Sequence, residues 1–151
     1  MLKTLLLFAI IIITVFSSLP TTAQSDDGWF SGRLFACRLS NGDGSALQVH
    51  HAQYYNIDNR FSMGLGTGFI FDDRLNVPVT AEWRVYLMRG NRIRLPLMVS
   101  GGYIFGNSTT TTSPRIGVET GRLARFRLAA DIGCWILGDV SALAVGAGVI
   151  F

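Results

Sequence analysis

The two histidines of this chain, His50 and His51, are adjacent, and histidine is well suited to general-base chemistry near neutral pH. On a β-strand, adjacent side chains point to opposite faces, so this pair cannot bind one metal ion together unless the strand bends. A nucleophilic Ser–His arrangement would need a serine at a suitable spacing and an acid close by, and the surrounding sequence provides neither. The pattern therefore favours histidines within a strand or at its rim over a catalytic histidine.

Seven charged residues fall on one face of a series of predicted strands in the second half of the chain. Burying an ionised side chain without a partner is very costly. We therefore expect a network of arginine–carboxylate pairs, with Glu82–Arg84 and Arg127–Asp131 each on one strand face. A polar plug is the favoured interpretation, and a lumen for conduction or ligand binding is the alternative. The seven residues are Glu82, Arg84, Arg94, Arg115, Glu119, Arg127 and Asp131.

Two further patterns resemble binding sites only superficially. The glycines of Gly64–Gly68 resemble a nucleotide loop, but they lack the following helix and the lysine that a phosphate site needs. Glycines at every second position are better explained by a strand in which one face has almost no side chains. Asp72 and Asp73, together with Asp58, could bind a cation at a rim, although acids in a turn are usually solvated. The sequence predicts no catalytic, cofactor-binding or metal-binding residues.

The N-terminal segment has the organisation of a signal peptide. Lys3 precedes an apolar run, and small residues around position 23 favour cleavage before Gln24, so we assign 1–23 as leader and 24–151 as one domain. The apolar run is short for a permanent anchor, which is the alternative. Lys3 is the only lysine, and the remaining 12 arginines exceed the 10 acidic residues by a net charge of +2. This small excess gives no support for nucleic-acid binding.

The elements that must position these residues are β-strands. No stretch after the leader has the pattern of an amphipathic helix, and turn-forming residues recur every 12 to 18 positions. In the first two strands the alternation is weaker, because Arg33 shares a face with Phe35 and His51 shares one with Val49; a one-residue shift or a bulge is the alternative. The segment 106–112 is the longest predicted connection, and Thr109–Thr112 is expected to be a mobile polar loop. The predicted strands are 29–39, 45–55, 60–71, 77–88, 92–105, 113–121, 125–136 and 141–151.

The last predicted strand shows most clearly that its two faces differ in polarity. One face is apolar and the other consists mainly of alanine and glycine. In a soluble barrel the apolar face points inward, but here the opposite face is too poor in charge to form a water-exposed surface. The pattern therefore favours an eight-stranded antiparallel transmembrane up-and-down β-barrel with its apolar face in lipid. The expected lipid-facing and assembly residues are Leu143, Val145, Ala147, Val149 and Phe151.

Aromatic residues and cysteines add two expectations. With both termini in the periplasm, aromatic side chains would form two girdles at the membrane interfaces. Cys37 and Cys134 are separated by a third predicted strand, which places them beyond disulfide reach and favours free thiols, with a disulfide as the alternative. The outer girdle would contain Phe71, Tyr103, Phe105 and Trp135, and the inner girdle Trp29, Tyr54, Tyr55 and Phe151.

Three segments resemble the small outer-membrane β-barrel proteins of Gram-negative bacteria. Proteins of this group are often labelled as porin-family proteins, and the OmpA/OmpX-type eight-stranded barrels are their architectural relatives. These are GLGTGFIFDDRLNVPVTAEWRVYL from Gly64 to Leu87, LMVSGGYIFG from Leu97 to Gly106, and the closing strand that ends at Phe151. The resemblance implies outer-membrane lipids as surroundings and the barrel-assembly machinery as a partner that recognises the closing strand. It implies no catalytic residues and no cofactor.

We therefore expect a monomeric, non-enzymatic protein of the outer membrane, with a structural or surface-interaction role. Eight strands argue against a wide pore, since side chains nearly fill such a barrel. One alternative is a barrel that handles small ligands or lipids, including a lipid-modifying enzyme. A soluble periplasmic β-barrel is the other alternative.

Overall fold

The computed structural model describes residues 30–42, 44–58, 60–121 and 126–151. The described residues form a closed barrel of eight antiparallel strands, each paired with its neighbours in sequence, and β1 pairs with β8. No helix among these residues is long and apolar enough to cross a membrane. The strands are β1 (Phe30–Ser40), β2 (Ser45–Asn56), β3 (Phe61–Phe71), β4 (Leu75–Arg89), β5 (Ile93–Phe105), β6 (Thr109–Thr120), β7 (Arg127–Leu137) and β8 (Val140–Ile150).

The predicted fold class is confirmed, and the largest difference in strand boundaries lies at β6. The predicted loop Thr109–Thr112 is the first part of this strand and pairs with β5. Threonine is β-branched and favours the extended backbone, and this preference outweighs the polar character that indicated a loop. The connection is instead a tight turn at residues 106–108, in which Gly106 has a φ of 124° and Ser108 a φ of 54°.

Phe151 extends the seam between β1 and β8 that closes the barrel. Phe151 and Gly32 exchange two backbone hydrogen bonds, with N···O distances of 2.7 and 2.9 Å. The Phe151 ring lies over Gly32, where a Cβ atom would collide with it. The same ring stacks on His51, with 6.2 Å between the ring centroids. Glycine at position 32 therefore leaves room for the terminal ring on the outer surface.

The two faces of the strands have opposite chemistry. In β8, Leu143, Val145 and Ala147 are exposed on the outer surface, whereas Ala144 and Ile150 are buried in the lumen. Val149 and Phe151 also face outward and are half-buried. Large apolar side chains are exposed in the same alternation in β3 to β7. Such an exterior is suited to lipid and not to water.

The register of the first hairpin is regular. β1 and β2 pair without interruption from Phe30–Tyr55 to Ser40–Ser45, so the bulge considered for these strands is absent. Arg33 and Phe35 do share a face, and that face is the lumen. The irregularity lies instead in β4, where the register against β5 shifts between Tyr86 and Met88.

The lumen is divided into two layers. We call the end where β1 begins and β8 ends the termini end, and the opposite end the far end. An apolar plug fills the lumen toward the far end, and a charged layer fills the part nearer the termini end. The plug consists of Phe35, Cys37, Leu39, Ile70, Ile104 and Ala144, with Ala46, Trp135, Leu137 and Ala142 packed against them.

The prediction that Trp135 and Tyr54 belong to the aromatic girdles is wrong. Trp135 packs against the apolar plug, and Tyr54 is fully buried inside the barrel. Both lie at lumen-facing positions of their strands, and strand parity outweighs the tendency of aromatic residues to line an interface. Phe71, Tyr103 and Phe105 are exposed on the outer surface, while Trp29 lies outside the described residues.

The cysteines are free and face opposite sides of the wall. Cys37 is buried in the lumen, whereas Cys134 is exposed on the outer surface. The alternative of a disulfide is therefore wrong, because the side chains point away from each other across the sheet.

Candidate functional site: the charged layer of the lumen

Arg84 of β4 lies at the centre of the first cluster, with no exposed surface. Its guanidinium carbon lies 3.9 Å from the centre of the Tyr54 ring, a distance typical of a cation–π contact. Arg84 Nη1 donates a hydrogen bond of 2.9 Å to the Tyr86 hydroxyl and lies 3.5 Å from Glu119 Oε1. The Tyr86 hydroxyl in turn donates to Glu119 Oε2 at 3.3 Å. This cluster joins β2, β4 and β6 across the lumen.

Asp131 of β7 is the centre of a second cluster. Arg33 Nη2 of β1 donates a charge-assisted hydrogen bond to Asp131 Oδ2, and Arg115 Nη1 of β6 lies 3.9 Å from the same oxygen. The Arg33 guanidinium also lies over the Phe35 ring, 4.1 Å from its centre. One buried carboxylate therefore compensates two arginines from different strands.

Glu82 forms the third cluster, with partners on β2 and β4. The Tyr54 hydroxyl donates to Glu82 Oε2, and the Thr80 hydroxyl donates to Oε1 at 3.2 Å. His50 Nε2 lies 3.2 Å from Glu82 Oε1 and 3.2 Å from Thr80 Oγ1. Because Tyr54 also contacts Arg84, this cluster and the first share a side chain.

The structure brings most of the sequence-predicted charged residues together. Six of the seven are buried: Glu82, Arg84, Arg94, Arg115, Glu119 and Asp131. The seventh, Arg127, is half-buried at the termini end. Arg94 lies directly opposite Glu119 in the β5–β6 register.

The predicted pair Glu82–Arg84 is wrong. A spacing of two along one strand does allow contact, as the hydrogen bonds between Arg84 and Tyr86 and between Thr80 and Glu82 show. Side chains from different walls also meet in the narrow lumen, however, and these offer each charge a partner on another strand. Arg84 therefore pairs with Glu119, and Glu82 with Tyr54 and His50. Asp131 likewise finds partners on other strands, in Arg33 and Arg115.

Sequence reasoning missed five polar members of these clusters: Arg33, His50, Tyr54, Thr80 and Tyr86. A signal was available, since each lies at the lumen-facing parity of its strand. The two histidines do point to opposite faces, with His50 in the lumen and His51 outside under the Phe151 ring. His50 is therefore a buried side chain that takes part in hydrogen bonds inside the barrel.

Buried cations outnumber buried anions in the described lumen. Arg33, Arg84, Arg94 and Arg115 are buried, against the carboxylates Glu82, Glu119 and Asp131. Aromatic faces partly offset the imbalance, through Tyr54 on Arg84 and Phe35 on Arg33. Each ring offers a cation an attraction of about 2 kcal/mol when the contact is desolvated.

A small polar cavity separates the charged layer from the plug. It has a volume of about 10 Å³ and borders His50, Glu82 and Arg115 on one side and Cys37 and Trp135 on the other. Ligand pockets usually have volumes of roughly 300–1,000 Å³. The cavity is therefore far too small for a solute molecule.

The possible cation site at a rim is excluded by the strand topology. Asp58 lies in the β2–β3 turn at the termini end, whereas Asp72 and Asp73 lie in the β3–β4 turn at the far end. Among the residues that the structure describes, no cluster of His, Cys, Asp or Glu could hold a metal ion. Asp58 instead caps its own turn, since the backbone N–H groups of Arg60 and Phe61 donate to it at 2.6 and 2.7 Å.

The fold is shared with known transmembrane barrels. No protein-family model and no curated protein matches the chain. The N-terminal β-barrel domain of Pseudomonas aeruginosa OprF is similar, with a TM-score of 0.68 and 14% identity over 81% of this chain and 95% of that one. A de novo designed transmembrane β-barrel has a TM-score of 0.61 and 12% identity, over 86% of this chain and 100% of that one.

A third similar structure is that of a natural membrane protein in lipid. The Yersinia pestis outer membrane protein Ail, in a phospholipid bilayer nanodisc, has a TM-score of 0.51 and 14% identity, over 81% of this chain and 98% of that one. These identities establish a shared fold and nothing about activity. The apolar exterior, the closed sheet and these likenesses together identify the chain as a small transmembrane β-barrel with the fold of the outer-membrane β-barrel proteins.

Proposed function

We propose that this protein is an integral outer-membrane barrel with a structural or surface-interaction role, and that it is neither a solute pore nor an enzyme. The observation that carries the proposal is the filled lumen. The apolar plug occupies the lumen toward the far end, and the three clusters of the charged layer cross it nearer the termini end. A solute would have to displace both layers.

The arrangement of the two histidines supports a non-enzymatic role. His50 is enclosed in the lumen beside a cavity too small for a substrate. His51 lies under the Phe151 ring on the outer wall and is only 6% exposed. Neither imidazole is accessible from the aqueous phase at the barrel ends. We accordingly assign both to packing.

The protein's surroundings and partners follow from the same surfaces. Outer-membrane lipids would contact the exposed apolar side chains, and the barrel-assembly machinery would recognise the closing strand and Phe151. The turns at the far end are short, spanning residues 41–44, 72–74, 106–108 and 138–139. A monomer with such short turns is suited to binding through the rim of the barrel rather than through long loops.

Conductance across a planar bilayer tests the non-pore assignment. We expect the folded barrel, identified by its heat-dependent mobility on gels, to leave the membrane current at the level of a protein-free bilayer. A wide general porin in the same apparatus serves as the positive control. Stepwise currents from the folded barrel would contradict the proposal.

Fractionation of cells tests the proposed location separately. We expect the protein in the outer-membrane fraction, released only by detergent. Its appearance in osmotic-shock fluid would favour the soluble periplasmic alternative. For the enzymatic alternative, a change in extracted envelope lipids that depends on His50 or His51 would be decisive against our assignment.

A further inference from the structure

Polar side chains from three strands border the small cavity between the charged layer and the plug. β6 contributes Thr111 and Arg115, β4 contributes Thr80 and Glu82, and β2 contributes Gln48. Each of these side chains is less than a tenth exposed. Together they present both hydrogen-bond donors and hydrogen-bond acceptors to the cavity.

Two of the bordering residues have a buried polar atom that makes no hydrogen bond to the described part of the chain. These atoms are Thr111 Oγ1 and Arg115 Nε. Arg115 does contact Asp131 Oδ2, at 3.9 Å, but it does so through Nη1 and not through Nε. Buried polar groups in folded proteins are nearly always paired, either with protein or with ordered water. The two atoms therefore indicate a partner that is not part of the chain.

The volume of the cavity matches that of a single water molecule. A buried water needs a cavity of about 10–15 Å³ and two to four polar partners. The cavity has a volume of about 10 Å³ and is bordered by more polar groups than one water can use. Cavities that stay dry are lined by apolar side chains, which is not the case here.

The charges around the cavity favour a neutral occupant over an ion. Glu82 would repel an anion, and Arg115 would repel a cation. A water molecule can accept a hydrogen bond from an arginine N–H group and donate to a carboxylate or hydroxyl oxygen at the same time. Glu82 Oε1 already accepts from the Thr80 hydroxyl at 3.2 Å, and a carboxylate oxygen has room for a further donor.

A water in this position would connect parts of the charged layer that are otherwise separate. Arg115 belongs to the cluster around Asp131, whereas Glu82 is the centre of the third cluster. The third cluster already shares Tyr54 with the first. A water bound to both Arg115 and Glu82 would therefore join all three clusters into one network. A network whose polar groups are all satisfied makes an interior more rigid and specifies one arrangement of it.

We propose that the cavity binds one water molecule, which accepts a hydrogen bond from Arg115 Nε and donates hydrogen bonds to Thr111 Oγ1 and the Glu82 carboxylate. The water is a structural ligand held between β4 and β6, at the boundary of the charged layer and the apolar plug. It satisfies the two polar atoms that the chain leaves unpaired.

The substitution Thr111→Val distinguishes a bound water from a dry cavity by the sign of its effect. Valine has nearly the shape of threonine but lacks the hydroxyl group. In a dry cavity the change removes an unpaired hydroxyl, so the variant would be as stable as the original or more stable. With the water bound, the change removes one of its partners. We then expect the equilibrium constant for unfolding, from urea titration in lipid vesicles, to rise about fivefold, the effect of one ordinary hydrogen bond.

Thr112→Val is the matched control. Thr112 is the next residue of β6 and is exposed on the outer surface, so the same change there does not touch the cavity. We expect its equilibrium constant for unfolding to stay the same or to fall. Equal or greater stability of Thr111→Val would overturn the proposal, and so would a similar loss of stability in both variants.

X-ray diffraction from crystals of the unaltered barrel identifies the occupant directly. We expect a single peak of electron density within about 3.2 Å of both Thr111 Oγ1 and Arg115 Nε. The peak should give no anomalous signal when the crystals are soaked in sodium bromide. A bromide signal there would identify an anion site and overturn the proposal. Absence of a peak, in crystals that show ordered water elsewhere in the lumen, would overturn it as well.

Discussion

Replacing Asp131 with Asn will lower the free energy of unfolding of the barrel by on the order of 3–5 kcal/mol, the usual cost of breaking a buried ion pair by removing one charge. Asp131 is the carboxylate that Arg33 and Arg115 share. Asn keeps the size and one acceptor oxygen but removes the carboxylate charge that Arg33 and Arg115 both contact. Because the lumen already holds more described cations than anions, no other carboxylate is free to replace it. Urea titration of the folded barrel in lipid vesicles, followed by tryptophan fluorescence, measures the change.

Two controls separate this effect from a general loss of negative charge. Asp73→Asn removes a carboxylate from an exposed turn and should leave the unfolding midpoint unchanged. In a double-mutant cycle, Arg33→Met and Asp131→Asn together should cost less than the sum of the two single changes. Additive costs, or an Asp131→Asn barrel as stable as the original, would contradict the assignment of Asp131 to a shared ion pair.

Ile132→Arg will destabilise the barrel in a bilayer by about 2–4 kcal/mol, the cost of an arginine on the lipid face near the midplane. Ile132 lies near the middle of β7, half exposed on the outer surface, and its register neighbours are Ile116 and Val145. These neighbours offer the guanidinium no polar partner. The same urea titration in vesicles provides the measurement.

The cost of an arginine on the lipid face depends on its depth in the bilayer, so the same substitution near the strand end is the matched control. Ile136→Arg introduces the same charge on the same face of β7, one residue before the strand ends, where the cost falls to about 0–1 kcal/mol. If both variants have the same stability, or if Ile132→Arg is neutral, the outer surface of β7 does not face hydrocarbon.

The fold could be predicted because the alternation of apolar residues with small or polar ones is visible within single strands. The alternation in β3, β4 and β8 assigns each side chain to one of two faces, and strands with an apolar outer face after a segment with the pattern of a leader indicate a membrane barrel. The errors arose where a second tendency competed with this parity. The polarity of Thr109–Thr112 favours a loop, although these residues pair with β5, and the aromatic rings of Tyr54 and Trp135 favour girdles, although both side chains face the lumen.

The pairing within the lumen could not be predicted because it depends on the closure of the sheet. Arg33 and Asp131 are separated by 98 positions in sequence and meet only because β1 pairs with β8. Strand parity predicts which residues belong to the charged layer. Which of them are in contact depends on the stagger between strands, and the sequence pattern does not encode that stagger. For the same reason, the apolar plug is visible only when Phe35, Ile70 and Ile104 are brought to one level of the barrel.

The most direct test of the central claim, an apolar exterior around a charged and plugged interior, is a nuclear Overhauser measurement in phospholipid nanodiscs. Magnetisation transfer from the acyl-chain methylenes should reach the methyl groups of Ile132, Leu143 and Val145, which are exposed on the outer wall. It should not reach the methyl groups of Ile70, Ile104 and Ala144, which are buried in the lumen. Transfer to the second group without transfer to the first would show that the two faces are assigned the wrong way round.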